Sequence, residues 1–454
     1  MLKKIICCLL SGILLLSVLS GCGKDSEKSG GASTGELERG EPITLTYASW
    51  EKDPMEKYMI EKFQEKYDWI TVDSIQIDQN TWESGLMQLA DTGDLPDVFW
   101  CFNLATATEN GWTLDITDYY DNDEYNENIP NELKMVGVYD GKRYGTVVHQ
   151  FPWVIFLNKT LFEQSNVQMP SYNWTYDEMI NCAKQFSMPN QYYYGMNGTK
   201  YYFSDIFPII NSDNLMDLGF DPKNETFNWD TRIAGLNDAF SLINQKVIAN
   251  LLPEEKEKAY GSADIWEPES GKIAMQLDYF WTGSYLQSIV FTSQNMEWVA
   301  YPLPSGTSNR QFSTVDCGAV SASTEHPREA YELLKFMNYG REGWLAKIEY
   351  FKQQSNPIPH HLPVAMKDET VISAVKELLP GEDWAAVLEA MKRTSPYVRY
   401  WLPGQSEFWS WAEEQEIYAK FDSNELKIED IAPQIEEKLK EFYDESMKII
   451  KARD

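Results

Sequence analysis

The sequence predicts an α/β protein with more than one domain. Three observations carry this expectation. Strand-like and helix-like segments alternate along residues 43–100, the pattern of βαβ units and a mainly parallel sheet. The chain has 454 residues, enough for two or more hydrophobic cores. Hydrophobic residues make up 43% of it, which excludes a disordered protein.

The chain opens with a processing signal. Lys3 and Lys4 precede an apolar run over residues 5–18, and Leu19-Ser20-Gly21-Cys22 follows. A basic start with a short apolar core reads as a secretory signal, too short to be a good membrane-spanning helix. Leu-Ser-Gly-Cys resembles the lipobox of bacterial lipoproteins, in which Cys22 is lipidated and becomes the new N-terminus. Residues 1–21 are then the signal peptide, and residues 22–42 the lipidated cysteine and a tether. Residues 23–40 are rich in Gly, Ser, Lys and Glu, a composition that buries too little surface to offset its ordering entropy. The expected location is the extracytoplasmic face of the cell membrane, with a folded body held there by acyl chains.

Residues 43–48 read as a strand, and residues 55–67 as a helix with Met55, Tyr58, Met59, Phe63 and Tyr67 near helical spacing. Residues 70–77 read as a second strand and residues 82–90 as a second helix. Asp91-Thr92-Gly93-Asp94-Leu95-Pro96 turns the chain into a short buried strand over 97–100. Asp140-Gly141 centres a tight turn. An extended segment over 146–158 follows, interrupted by Pro152, which a sheet tolerates only at an edge or bend. That interruption marks a natural crossing between domains. Thr175 and Glu178 form a capping box for a helix reaching about residue 186. Residues 328–337 read as a helix, and residues 431–450 as an amphipathic one with Ile431, Ile435, Leu439 and Phe442 on one face, docked on the body.

Charge and cysteine content remove several classes of function. With 39 basic and 70 acidic residues the net charge is −31, which argues against nucleic acid or an anionic membrane bound through a basic face. Only Cys101, Cys182 and Cys317 lie beyond Cys22, so at most one disulfide forms. No metal-ligating motif or phosphate-cradling glycine loop occurs, so no cofactor is expected. Asp121-Asn122-Asp123-Glu124 lacks the glycine of a calcium loop and reads as a solvated turn, and His360-His361 as part of a proline-flanked loop. The aromatic content is high, with 16 Trp, 26 Tyr and 20 Phe.

Read in order, these segments resemble the bacterial extracellular solute-binding proteins of sugar importers, the maltose-binding-protein-like family. The resemblance runs from about Ile43 to the C-terminal helix. It rests on Gly93-Asp94-Leu95-Pro96-Asp97, Asp140-Gly141-Lys142-Arg143-Tyr144-Gly145, Phe156-Leu157-Asn158-Lys159, Trp174-Thr175-Tyr176-Asp177-Glu178 and Ser270-Gly271-Lys272-Ile273-Ala274-Met275. Tyr301-Pro302-Leu303-Pro304 and Ala322-Ser323-Thr324 extend it. It implies the two-lobed class II fold, with mixed sheets flanked by helices and a ligand cleft between the lobes. One lobe would comprise residues 43–150 and 315–358, and the other residues 151–314 and 359–454. It further implies binding without turnover, a carbohydrate ligand, permease subunits of an ABC importer as partners, and a monomer.

Carried over residue by residue, the resemblance places ligand-stacking tryptophans at Trp100, Trp281 and Trp409, a polar ligand residue at Asn103, and a further ligand residue at Tyr202. Trp50 and Glu51 follow the first strand and belong at the rim by topology. His149, Gln150, Asp278 and Asp316 lie near lobe crossings or strand ends. Leu104 stands where maltose-binding protein has a basic ligand residue, and Asp278-Tyr279-Phe280 replaces a Gly-Pro stretch, so the sugar need not be maltose. The same fold also suits a peptide, a polyamine or a metal chelate. A purely structural surface lipoprotein is a further alternative, disfavoured by these motifs. A cell-surface glycoside hydrolase would need two carboxylates about 5–10 Å apart, which Glu51, Asp278 and Asp316 supply only if folding brings them together.

Overall fold

The computed structural model describes residues 36–50, 54–198, 200–354, 358–423 and 425–453. The signal segment, Cys22 and Glu51 lie outside the described residues. The strands are β1 (Ile43–Ala48), β2 (Ile70–Ser74), β3 (Val98–Cys101), β4 (Val138–Tyr139), β5 (Lys142–Arg143), β6 (Thr146–Asn158), β7 (Tyr194–Asn197), β8 (Phe220–Asp221), β9 (Thr226–Phe227), β10 (Ile273–Tyr279), β11 (Trp298–Tyr301), β12 (Gln311–Val320) and β13 (Thr394–Pro396). Nine of them form one curled sheet in the order β2-β1-β3-β12-β6-β10-β7, with β11 also on β6 and β13 on β12. The β1–β2, β1–β3, β7–β10 and β12–β13 pairs are parallel, and the pairs made by β6 are antiparallel. The sheet is therefore mixed.

The strand β6 holds the two halves together. Its first part, through Pro152, pairs with β12, and from Trp153 onward it pairs with β10 and β11. Proline lacks an amide hydrogen, so it suits the point where a strand leaves one ladder for another. Side chains beyond that point alternate between two cores. Trp153, Ile155 and Leu157 pack with the helices of residues 159–244, and Val154 and Phe156 pack into the larger cluster. A strand buried on both faces reads as a continuous apolar run, which residues 153–157 are.

Local signals set most boundaries. The expected strands at 43–48 and 146–158 coincide with β1 and β6. Asp140 and Gly141 both take positive φ, 50° and 79°, and join β4 to β5 as a two-residue hairpin turn. Thr175 Oγ1 accepts a bond from the Glu178 amide (3.2 Å), and the Thr175 amide donates to Glu178 (2.7 Å), completing the capping box of the helix Tyr176–Lys184.

Three readings change. The buried stripe of the terminal helix Ile428–Lys451 runs through Ile428, Ala432, Ile435, Leu439, Tyr443, Met447 and Ile450, so Ile431 and Phe442 are only half-buried at its margin. Asp123 is buried rather than solvated: it caps a short helix and pairs with Lys335 at 2.6 Å. Within the expected tether, Leu37 packs against the core and Arg39 pairs with Asp68, so body contacts begin before β1.

A buried polar cluster ties the C-terminal segment to the middle of the chain. Arg232 pairs with Asp205 at 2.8 Å, and Asp217 accepts the Val398 amide at 3.0 Å. Burial, then repulsion from Asp205, pushes the Asp217 carboxyl well above the usual range. A raised acid holds in the folded state a proton that the unfolded chain releases above about pH 4, so this contribution to stability falls as pH rises from there. Asp217→Asn mimics the protonated acid. It is expected to remove a slope of up to about 1.4 kcal/mol per pH unit, read by urea unfolding between pH 4 and 8. An unchanged slope would contradict the assignment.

Candidate functional site

The end of β10 and the partner-switching part of β6 share one aromatic surface, and the end of β3 carries a second aromatic group. At the end of β10, Tyr279 and Trp281 stand two residues apart on one face, and their rings stack at 4.3 Å and 10°. Trp281 also meets the edge of Phe151 from β6 (5.3 Å, 74°), and Tyr279 meets Trp153 and Tyr202 edge-on. One ring face of the pair is thus braced from behind while Trp281 stays 41% exposed. Asp278, immediately before the pair in sequence, accepts the Tyr279 amide (2.8 Å) and the Gln276 side chain (3.1 Å). Burial raises its pKa.

On the β3 side, Trp50 stacks on Phe102 (4.3 Å, 14°) and packs edge-on against Trp82 and Trp100. The Phe102 amide donates to Glu83 (2.9 Å), which holds that rim residue in place. Phe102 faces Tyr400 at 6.4 Å. Tyr202, Asp278 and Trp281 border spaces around the end of β10, where the fold adds Phe151 and Tyr279, while Trp50 packs with Phe102 at the end of β3. Phe102 and Tyr279 had a local signal, each lying two residues from an expected tryptophan on the same strand face. Phe151 sits next to Gln150.

Other expected residues serve the scaffold. Trp100 is 1% exposed, covered by Trp50, and its indole N–H donates to Asn338 (3.0 Å). It lies within the strand, and the rim position falls to Phe102. Asn103 caps the helix Leu104–Glu109 through the Thr106 amide and donates to Ser406 (2.5 Å). Gln150 is fully buried and donates to the Pro363 carbonyl. Trp409 stacks on Tyr418 (5.7 Å, 27°) in a cavity of about 710 Å³ with Tyr397 and Arg399, apart from the Trp281 surface.

His149 is fully buried beside His361 and Lys347. Its ring stacks on His361 at 3.4 Å, and Lys347 Nζ is 3.1 Å from its Nε2. A protonated lysine only donates, so Nε2 accepts and the neutral ring carries its hydrogen on Nδ1, 3.8 Å from Asp316. Burial, then repulsion from neighbouring cations, holds both histidines well below the ordinary value of 6.5. Cys101 and Cys317 lie opposite each other on β3 and β12, and all three described cysteines are free and buried.

Two cavities meet at Asp278 and Trp266. One of about 760 Å³ is lined by Tyr202, Asp278, Gln276 and Trp266, and one of about 600 Å³ by Trp281, Asp278, Tyr285 and Trp266. A smaller space of about 300 Å³ beside Tyr67 and Tyr125 is walled by Lys335 and Arg341, each already paired with an aspartate. Among the described residues no group of side chains is arranged to hold a metal ion, and no helix is long and apolar enough to cross a membrane.

A sequence profile of bacterial extracellular solute-binding proteins matches residues 48–338. A protein of Brucella abortus (strain 2308) described as a binding protein is 23% identical over 290 residues, which are 60% of this chain and 64% of that protein, less than two thirds of its length. A sugar transporter of Rhizobium etli in an open conformation superposes with a TM-score of 0.70 at 15% identity, over 88% of this chain and 99% of that one. A substrate-binding protein of Listeria monocytogenes in complex with cycloalternan gives 0.60 at 18% identity, over 90% and 99%. The cyclic alpha-maltosyl-1,6-maltose binding protein of Arthrobacter globiformis gives 0.65 at 14% identity, over 90% and 99%.

The two buried histidines make a testable acid limit. Both are neutral in the folded state, whereas the unfolded chain protonates them below about pH 6.5, so stability is lost as pH falls through that value. His361→Phe keeps a flat ring against His149. Compared with the unaltered protein, it is expected to lessen the loss of stability between pH 7 and 5 by up to about 1.4 kcal/mol per pH unit, measured by urea unfolding. Parallel curves for the two proteins would refute it.

Proposed function

The chain belongs to the bacterial extracellular solute-binding protein family, and on that premise we propose that it is the lipid-anchored receptor of an ABC importer, capturing a carbohydrate between two lobes. The family is one of binding proteins, so capture without turnover is its chemistry. The observation that carries the sugar reading is the exposed Trp281, backed by Tyr279 and set beside Asp278. A pyranose has a face of C–H groups and an edge of hydroxyls. The flat indole covers the first, and the carboxylate binds the second.

Magnitudes agree with this assignment. One ring covering roughly 60 Å² of sugar contributes about 1.5 kcal/mol at about 25 cal/mol per Å². Two or three such platforms with charged hydrogen bonds reach about −8 kcal/mol, near micromolar affinity. A polyamine fits less well. It needs several carboxylates left for its ammonium groups, whereas Glu267 already pairs with Lys256 (2.7 Å) and Asp422 with Lys200 (2.5 Å) in the same cavity.

The lobes would hinge where β6 changes partners at Pro152–Trp153, with a return crossing near Ser313. A ligand touching Trp50 and Phe102 on one side and Trp281 on the other would favour the closed arrangement, because only that arrangement satisfies both contacts. Acyl chains on Cys22 and the tether would keep the receptor close to its permease, raising its effective concentration there.

A thermal-shift screen tests the reading. Some mono- or oligosaccharide is expected to raise Tm, and Trp281→Ala to weaken that sugar's binding about tenfold or more. Shifts with peptides or spermidine alone would overturn it. Lipidation is checked separately: Cys22→Ser is expected to abolish palmitate labelling and release the protein into the medium.

A further inference from the structure

The outer wall of the site carries more aromatic surface than a single sugar ring uses. Among the described residues, Trp281 and Tyr285 are the two exposed aromatics, at 41% and 42%. They flank the first turn of the short helix Thr282–Leu286, four residues apart, which puts their side chains on neighbouring positions of one face. Trp266 closes the far side, with its ring 5.6 Å from that of Tyr285 at 47°. The other edge of Trp266 rests on Phe291 at 6.1 Å, so it is anchored. Tyr285 is oriented too: its hydroxyl donates to Glu269 at 2.6 Å.

The space these rings enclose, about 600 Å³, has hydroxyls from Thr282 and Ser284 among its walls. It shares Asp278 and Trp266 with the cavity of about 760 Å³ beside Tyr202. The two spaces thus lie on either side of one carboxylate, the inner one against Tyr202 and the outer one opening past Trp281. Exposed aromatic surface on a secreted protein is costly in solubility and marks a binding surface when it is contiguous. Rings interleaved with hydroxyls and carboxylates suit a polyhydroxylated chain better than an apolar protein partner.

We propose that Trp266, Trp281 and Tyr285 form an outer subsite that takes sugar rings lying beyond Asp278, so that the ligand is an oligosaccharide spanning both cavities. This rests on the carbohydrate reading above and commits it to a chain length. A monosaccharide fills one cavity and leaves the outer aromatics bare. A chain of several rings reaches from the Tyr202 cavity past Asp278 and stacks on Trp281, Tyr285 and Trp266 in the outer space.

Isothermal titration with two oligosaccharide ladders, the α-1,4-glucans from glucose to maltohexaose and the β-1,4-glucans from glucose to cellohexaose, together with manno- and xylo-oligosaccharides, tests this. In the series that binds, the tetrasaccharide is expected to bind at least tenfold tighter than the disaccharide. Tyr285→Ala is expected to collapse that ratio towards one, and Tyr285→Phe, which keeps the ring and loses the bond to Glu269, to retain most of it. Near-ultraviolet circular dichroism of each variant checks that the fold is kept. Binding with no dependence on length, or a ratio untouched by Tyr285→Ala, overturns the outer subsite while leaving the carbohydrate reading in place. No binding by any sugar, with Trp281→Ala also silent in the wider screen, overturns both.

Discussion

One strand carries the architecture. β6 is thirteen residues long, pairs with β12 through Pro152, and pairs with β10 and β11 beyond it. Two residues at that switch brace the aromatics near the end of β10. Phe151 sits immediately before it and braces Trp281. Trp153 sits immediately after it and braces Tyr279 and Tyr202. A strand in two ladders fixes its own register in both, since a slip of one residue would turn its apolar set to the wrong faces on each side.

The same region holds an unusual quantity of buried polar chemistry. Gln150, His149, His361 and Lys347 are buried, and the Arg232–Asp205–Asp217 cluster lies beneath the C-terminal segment. Buried polar groups persist when they are hydrogen-bonded or neutralised, and here both routes are used. Protonation changes relieve the rest: the histidines stay neutral and Asp217 keeps its proton. These clusters link segments far apart in sequence, His149 with residues 347 and 361, and Asp217 with residue 398. Apolar packing tolerates many alternative partners, and a hydrogen-bonded cluster tolerates few.

The aromatic residues divide by depth rather than by type. Trp82, Trp100, Trp153, Trp174, Trp229 and Trp344 are fully buried, and their role is packing. Trp50 and Trp281 reach the surface, each stacked on a second aromatic ring. A backing ring orients the exposed one before any ligand arrives, which lowers the entropy lost on binding. The sequence shows sixteen tryptophans with no mark distinguishing the two groups.

Much of this protein was legible in the chain alone. The α/β class, the bounds of β1 and β6, the Asp140-Gly141 hairpin and the Thr175–Glu178 capping box are local facts, set by periodicity, proline, glycine and capping chemistry within a few residues. Trp281 and Tyr202 were expected at the ligand from the family resemblance, and Asp278 from its place near a lobe crossing or strand end. Trp100, Asn103 and Gln150 were expected at the ligand and serve the scaffold instead. Their surroundings are supplied by Asn338, Ser406 and Pro363, more than 200 residues away. Periodicity and capping act through neighbours in the chain, so sequence alone determines them. Exposure depends on which distant segment covers a side chain, and only the tertiary structure decides that.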